Sequence, residues 1–161
     1  MIEEFTGVAA RIGAALARRG ETIAVADGAT GGLISAALLT VPGATAFHRG
    51  GGVVYSLQAR DVLLGLEPAE LKGMRSVTES YALLQARAIR DRFGADWGVA
   101  ETGSAGPGQH PRGPAAGTSC IAVAGPGRSA ARAIATGSDG RVANMLAFTQ
   151  AALELLEQEL G

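Results

Sequence analysis

The chain has 161 residues, 47% of them hydrophobic and 18% charged, a balance that supplies a buried core and excludes intrinsic disorder. Fourteen basic residues against 15 acidic ones leave a formal charge of -1, too small a positive field for a partner held by its nucleic-acid backbone. The acidic start Met1-Ile2-Glu3-Glu4 lacks the basic lead of a secretory signal, and the uncharged residues 28–47 are interrupted by Gly, Thr, Ser and Pro. A soluble cytoplasmic protein without membrane contact is therefore expected. One cysteine, Cys120, and two separated histidines, His48 and His110, predict neither an intrachain disulfide nor a metal site.

In chain order, Ile2, Phe5, Val8, Ala9, Ile12, Ala15 and Leu16 recur at helical spacing before Arg18, Arg19 and Gly20, which predicts an amphipathic helix over about 2–19. The apolar run 22–26 predicts a strand ended by Asp27, followed by a glycine loop over 28–32 and a helix over 33–40. After the turn at Pro42-Gly43, the run Gly50-Gly51-Gly52-Val53-Val54-Tyr55 predicts a buried strand, and residues 56–64 a helix stopped near Gly65. Ser76-Val77-Thr78-Glu79 has capping-box spacing, and Tyr81, Leu84, Ala88 and Ile89 extend one helical face towards Gly94. Residues 97–100 read as a short strand that leads into a loop from Thr102 to Gly108. Residues 118–124 and 130–136 predict a hairpin about Gly125-Pro126-Gly127, and residues 141–160 a closing helix. Strands that alternate with helices and then form a hairpin predict a three-layer α/β/α sandwich with a mixed sheet of about five strands, in one domain over residues 1–161.

In such folds the loops at strand ends form the ligand crevice, because helix N-termini there present unpaired N–H groups. The loops 28–32 and 102–108 hold that place. Neither contains the Gly-Lys-Ser/Thr of a phosphate-binding P-loop or a Gly-x-Gly-x-x-Gly after the first strand, so ATP hydrolysis and dinucleotide binding find no motif here.

The pieces Asp27-Gly28-Ala29-Thr30-Gly31-Gly32, Val41-Pro42-Gly43, Gly51-Gly52-Val53-Val54-Tyr55-Ser56, Thr102-Gly103-Ser104-Ala105-Gly106-Pro107-Gly108 and Gly117-Thr118 stand in the order found in the CinA C-terminal domain, and the chain resembles that family from about residue 22 to 158. The resemblance implies a relative of enzymes that hydrolyse the carboxamide of nicotinamide mononucleotide to nicotinate mononucleotide and ammonia. It also implies a serine nucleophile in the first loop, with a tyrosine and a lysine supplied after the next strand. A hydroxyl nucleophile needs such a neighbour to accept its proton.

This chain departs from that pattern at the chemical positions. The family's glutamate is Asp27, its serine is Gly28, and its lysine is Arg60, while Tyr55 is kept. Glycine has no side chain to attack a carbonyl, and a guanidinium stays protonated at any working pH. The implied binding residues Thr30, Gly31, Gly32, Thr102, Gly103, Gly106, Gly108, Gly117 and Thr118 keep the family's types, whereas Ser104 replaces an apolar residue. The expectation is a catalytically impaired relative with a retained crevice for a pyridine nucleotide or phosphate-bearing ligand.

Two other readings stand beside it. One is an active amidohydrolase using the hydroxyl of Ser104, Ser56 or Thr30; the other is a structural, homo-oligomeric partner without a ligand, its crevice filled by side chains. Asp27 can be an acid or base, or it can cap the following helix. Arg60 can pair with Asp27, bind an anion or lie on a helix surface. His110 can touch a phosphate or stand in solvent, and Cys120 is expected as a small buried hydrophobe. No cofactor, metal, nucleic acid or membrane is called for.

Overall fold

A computed structural model describes residues 1–108 and 113–161. Five strands, β1 (Ile23–Asp27), β2 (His48–Val53), β3 (Trp97–Ser104), β4 (Thr118–Gly125) and β5 (Arg128–Ala135), form one sheet in the order β2-β1-β3-β4-β5. β1 runs parallel to β2 and β3, β4 is antiparallel to β3, and β5 is antiparallel to β4. The mixed five-stranded sheet is as the sequence predicts. The helices are α1 (Thr6–Arg19), α2 (Leu33–Leu39), α3 (Leu57–Leu64), α4 (Pro68–Leu71), α5 (Glu79–Arg92) and α6 (Arg141–Leu160), with a 3-10 turn at Ile2–Phe5 before α1.

Strand periodicity sorts the central strands into a large-residue face and a small-residue face. Ile23, Val25, Trp97, Val99, Ile121 and Val123 pack with α1, α2 and α6. Ala24, Ala26, Ala100, Cys120, Ala122 and Ala124 face α5, which presents Ala82, Ala86 and Ile89. Small side chains on both surfaces let α5 lie very close to the sheet, and a Cβ at Gly98 would stand 2.0 Å from the Ala86 carbonyl oxygen. Cys120 is buried on this face, and burial pushes its thiol up to about 11, which removes it as a nucleophile near neutral pH.

Several boundaries differ from the sequence expectations. β2 is an edge strand with alternating exposure, not a buried one, and it ends at Val53, so Val54 and Tyr55 lie beyond it. β3 continues past residue 100 to Ser104, because its ladder with β4 pairs Thr102 with Cys120 and Ser104 with Thr118. Thr102, Gly103 and Ser104 are thus strand residues, not loop residues. The cap of α5 is Thr78, whose Oγ1 accepts from Tyr81 N at 3.3 Å, two residues later than the Ser76 capping box. The short helix α4 had no counterpart among the predicted elements. None of the described helices is long and apolar enough to cross a membrane.

Candidate functional site

The parallel strands β1, β2 and β3 bring their C-terminal ends to one edge of the sheet, and the helices α2, α3, α5 and α6 start there. Val77 N, just before α5, donates to Thr102 Oγ1 at 3.1 Å. Asn144 Nδ2, on the first turn of α6, donates to Ala105 O at 2.9 Å. Both contacts tie helix starts to the end of β3. Val77 has φ 59°, a strained backbone for a β-branched residue, in the wall beside this edge.

Three of the four helix starts are satisfied by the chain itself. Asp27, 1% exposed, accepts from Ile34 N at 3.0 Å, Ser35 N at 3.3 Å and Thr30 Oγ1 at 2.6 Å, which closes the positive end of α2. Asp27 therefore takes the capping role. Ser56 Oγ accepts from Ala59 N at 3.0 Å and caps α3; Thr78 caps α5. No side chain caps α6, and its first residue, the exposed Arg141, donates from Nη2 to Tyr55 Oη at 3.0 Å and from Nη1 to Gly106 O.

A second carboxylate, Glu101, organises the first loop from β3. It is fully buried; Oε2 accepts from Gly28 N at 3.2 Å and Thr30 N at 3.0 Å, and Oε1 accepts from Ser119 Oγ at 2.7 Å. Burial raises its pKa above the usual carboxylate range, against the opposing pull of the hydrogen bonds from Thr30 and Ser119. The loop lies so close to β3 that a Cβ at Gly28 would stand 2.2 Å from the Glu101 carbonyl oxygen and 3.1 Å from Oε2. Position 28 faces the strand. At Gly103 a Cβ would likewise meet Glu101 Oε1 at 2.4 Å, so packing within the chain already demands glycine there.

Gly28 and Ala29 meet Tyr55, Ser56, Thr102 and Gly103 around a recess of about 40 Å³ that is closed behind by Tyr81 and Gln85. That volume exceeds the roughly 10–15 Å³ a water needs and is far below the roughly 300 Å³ at which whole-ligand pockets begin. It admits a small group, with the rest of any ligand outside. Tyr55 stands at its mouth, 62% exposed.

The remaining sequence candidates lie elsewhere. Thr30, Gly31, Gly32, Ser104, Gly106, Gly108, Gly117 and Thr118 do not line the recess. Thr30 is buried against Asp27, Ser104 is buried in the β3–β4 ladder, and Gly117 N donates to Ser104 O at 2.7 Å. The pairing of Arg60 with Asp27 is not formed: Arg60 bonds Asp61 at 2.9 Å and reaches Tyr81 Oη at 3.5 Å from a separate surface hollow. His110 lies outside the described residues. Glu101, Gln85, Tyr81, Arg141 and Asn144 were not singled out from the sequence. Glu101 had a signal, a lone carboxylate directly after the apolar run 97–100; the others carry none in their local sequence.

A mixed α/β sheet with its crevice at the C-terminal ends of parallel strands, entered by a glycine loop, defines the class of protein. The chain matches the CinA C-terminal domain over residues 5–160 and belongs to that family. It is 38% identical over 148 residues to a CinA-like protein of Gloeobacter violaceus, covering 91% of this chain and 35% of that one. To a CinA-like protein of Synechocystis it is 35% identical over 155 residues, covering 95% and 37%. The chain thus spans about a third of the length of these curated relatives. Its fold is similar to the crystal structures of a competence or damage-inducible protein from Enterobacter asburiae (TM-score 0.90, 29% identity, 98% of each chain) and of the competence/damage inducible protein CihA from Agrobacterium tumefaciens (TM-score 0.87, 30% identity, 97% and 94% covered).

Proposed function

We propose that this chain binds a pyridine nucleotide or a similar phosphate-bearing ligand and does not hydrolyse the carboxamide of nicotinamide mononucleotide. The observation that carries this reading is Gly28, which supplies no nucleophile and whose missing side chain leaves the room that the Glu101 carbonyl occupies. Arg60, in the position the resemblance gives to the lysine, is a permanent cation engaged with Asp61 and cannot accept a proton from an attacking hydroxyl.

The substitute hydroxyls have other duties. Ser56 caps α3, Thr30 donates to Asp27, and Ser104 is buried in the sheet. Binding is supported by different groups: the open start of α6, the exposed Arg141 guanidinium and Tyr55 Oη lie together at the crevice mouth, an arrangement suited to a phosphate. A purely structural partner would fill the crevice with side chains, whereas a polar recess is kept open beside Tyr55.

The test is incubation of the purified protein with nicotinamide mononucleotide, following ammonia release and binding heat together. Binding without ammonia supports the reading. Ammonia release abolished by replacing a single loop hydroxyl supports the active-enzyme alternative.

A further inference from the structure

At the end of the sheet away from the crevice, α5 and the turn between β4 and β5 enclose a hollow of about 400 Å³. Strand register separates the two sites: Gly98, near the start of β3, pairs with Ala124 beside the hollow, whereas the crevice takes Thr102 and Gly103 from the other end of β3. The hollow is lined by Arg87 and Arg90 of α5, Gly125 and Gly127 at the turn, and Arg128 and Ser129 of β5. Arg87 and Arg90 stand at i and i+3 and so share one face of the helix. Three guanidiniums thus surround one space.

Their hydrogen bonds leave most of the donors unused. Arg90 donates from Nε to Asp91 at 2.9 Å and from Nη1 to Gly125 O at 3.5 Å, and Arg128 donates from Nε to Glu159 at 3.2 Å. Arg87 is exposed and has neither an ion pair nor a hydrogen bond among the described residues. The Gly127 N–H and the Ser129 hydroxyl are likewise without a partner there. The carbonyls that end α5, which would repel an anion, accept from Phe93, Gly94 and Ala95. Two carboxylates therefore answer three cations, and the hollow presents donors from five residues.

A phosphate group suits this set, because guanidiniums bind its oxygens through paired N–H groups and the turn adds neutral donors. The volume holds a phosphate with a small body attached. That body is hydrophilic, since the lining beyond the arginines is glycine, serine and a single alanine. A nucleic-acid backbone fits less well, for the chain carries a net charge of -1 and Asp91 and Glu159 flank the arginines.

We infer that this hollow binds a small hydrophilic phosphate monoester of the sugar-phosphate kind, at a site separate from the crevice. The inference goes beyond the crevice reading and does not depend on it.

The experiment titrates glucose 6-phosphate, inorganic phosphate and glucose into the protein at constant ionic strength, followed by calorimetry and amide NMR. Wild type binds the two phosphates with Kd of about 0.1–10 mM and shifts the amide signals of Gly127 and Ser129, while glucose does neither. Arg87→Gln weakens both phosphates about fivefold, and Arg87→Gln with Arg128→Gln about twentyfold or more. Arg141→Gln, at the crevice, leaves the Gly127 and Ser129 shifts unchanged. Arg87 has no partner to lose, so Arg87→Gln melts as wild type does; if the double variant melts lower, the single variant decides. No Gly127 or Ser129 shift up to roughly 50 mM glucose 6-phosphate, or shifts that survive Arg87→Gln at full affinity, overturns the inference. Loss of the shifts in Arg141→Gln overturns it too, as does glucose binding as tightly as its phosphate. Duplex DNA that binds more tightly than glucose 6-phosphate at the same ionic strength, and is weakened by Arg87→Gln, overturns it in favour of a polynucleotide partner.

Discussion

Restoring a side chain at position 28 is the perturbation whose outcome the structure specifies most closely. In Gly28→Ser or Gly28→Ala the new Cβ starts 2.2 Å from the Glu101 carbonyl oxygen, so the loop must retreat by about 1 Å to reach ordinary contact. That retreat draws Gly28 N and Thr30 N, now at 3.2 and 3.0 Å, away from Glu101 Oε2. Glu101 would keep only Ser119 as a partner within a fully buried site. Each buried group left without its partner costs roughly 1–3 kcal/mol, and partial relaxation leaves a net loss of about 2–5 kcal/mol. For a domain of this size that lowers the melting temperature by about 5–15 °C. Both variants behave alike, because the Cβ and not the hydroxyl causes the clash. Thermal unfolding by circular dichroism at neutral pH measures the shift, and ammonia release from nicotinamide mononucleotide is followed in parallel. Neither Gly28→Ser nor its combination with Arg60→Lys is expected to release ammonia, since the serine faces β3 and position 60 reaches the recess only through Tyr81. Melting temperatures within 2 °C of wild type, or ammonia from the serine variant, would refute the geometry assigned to this loop.

Three further outcomes follow from the same contacts. Burial raises the folded-state pKa of Glu101 above its ordinary 4.5, so the unfolded chain releases this proton first and stability is lost as pH rises from about 4.5 through the folded value. Glu101→Gln keeps an acceptor for the loop amides and removes that loss, so its melting temperature relative to wild type climbs between pH 4 and pH 8; a constant or shrinking difference contradicts the assignment. Asp27→Ala uncaps α2 and strands the Thr30 hydroxyl, costing about 2 kcal/mol and roughly 4–8 °C by calorimetry, with Asp27→Asn retaining part of it; an unchanged melting temperature would show that the carboxylate has no structural duty. Arg141→Ala weakens nicotinamide mononucleotide by about tenfold and leaves free nicotinamide unchanged, and equal weakening of both would place the phosphate elsewhere.

The fold is most legible in the sequence where local and tertiary signals agree. The apolar runs that became β1 and β4 are buried on both faces, and the turn read at Gly125-Pro126-Gly127 joins β4 to β5 through Pro126 and Gly127. The end of β3 is illegible because Glu101, Gly103 and Ser104 carry little strand propensity, and pairing with β4 decides their state. Ser76 and Glu79 fit the capping-box spacing, but the positive φ of Val77 delays the helix and hands the cap to Thr78. The site shows the same division. Gly28, Tyr55, Thr102 and Gly103 could be found as loop motifs and meet at the recess. Gln85 and Arg141 come from helices whose sequences read as ordinary amphipathic surface, and only the packing of α5 and α6 on opposite faces of the sheet, both starting at one edge, brings them there.

The central claim is that this crevice binds without amide hydrolysis, and the direct measurement is one sample of purified wild-type protein titrated with nicotinamide mononucleotide while ammonia is assayed. Saturable binding heat with ammonia at the level of a protein-free control is the predicted result. Ammonia formation that is proportional to protein concentration and persists through successive purification steps would contradict it.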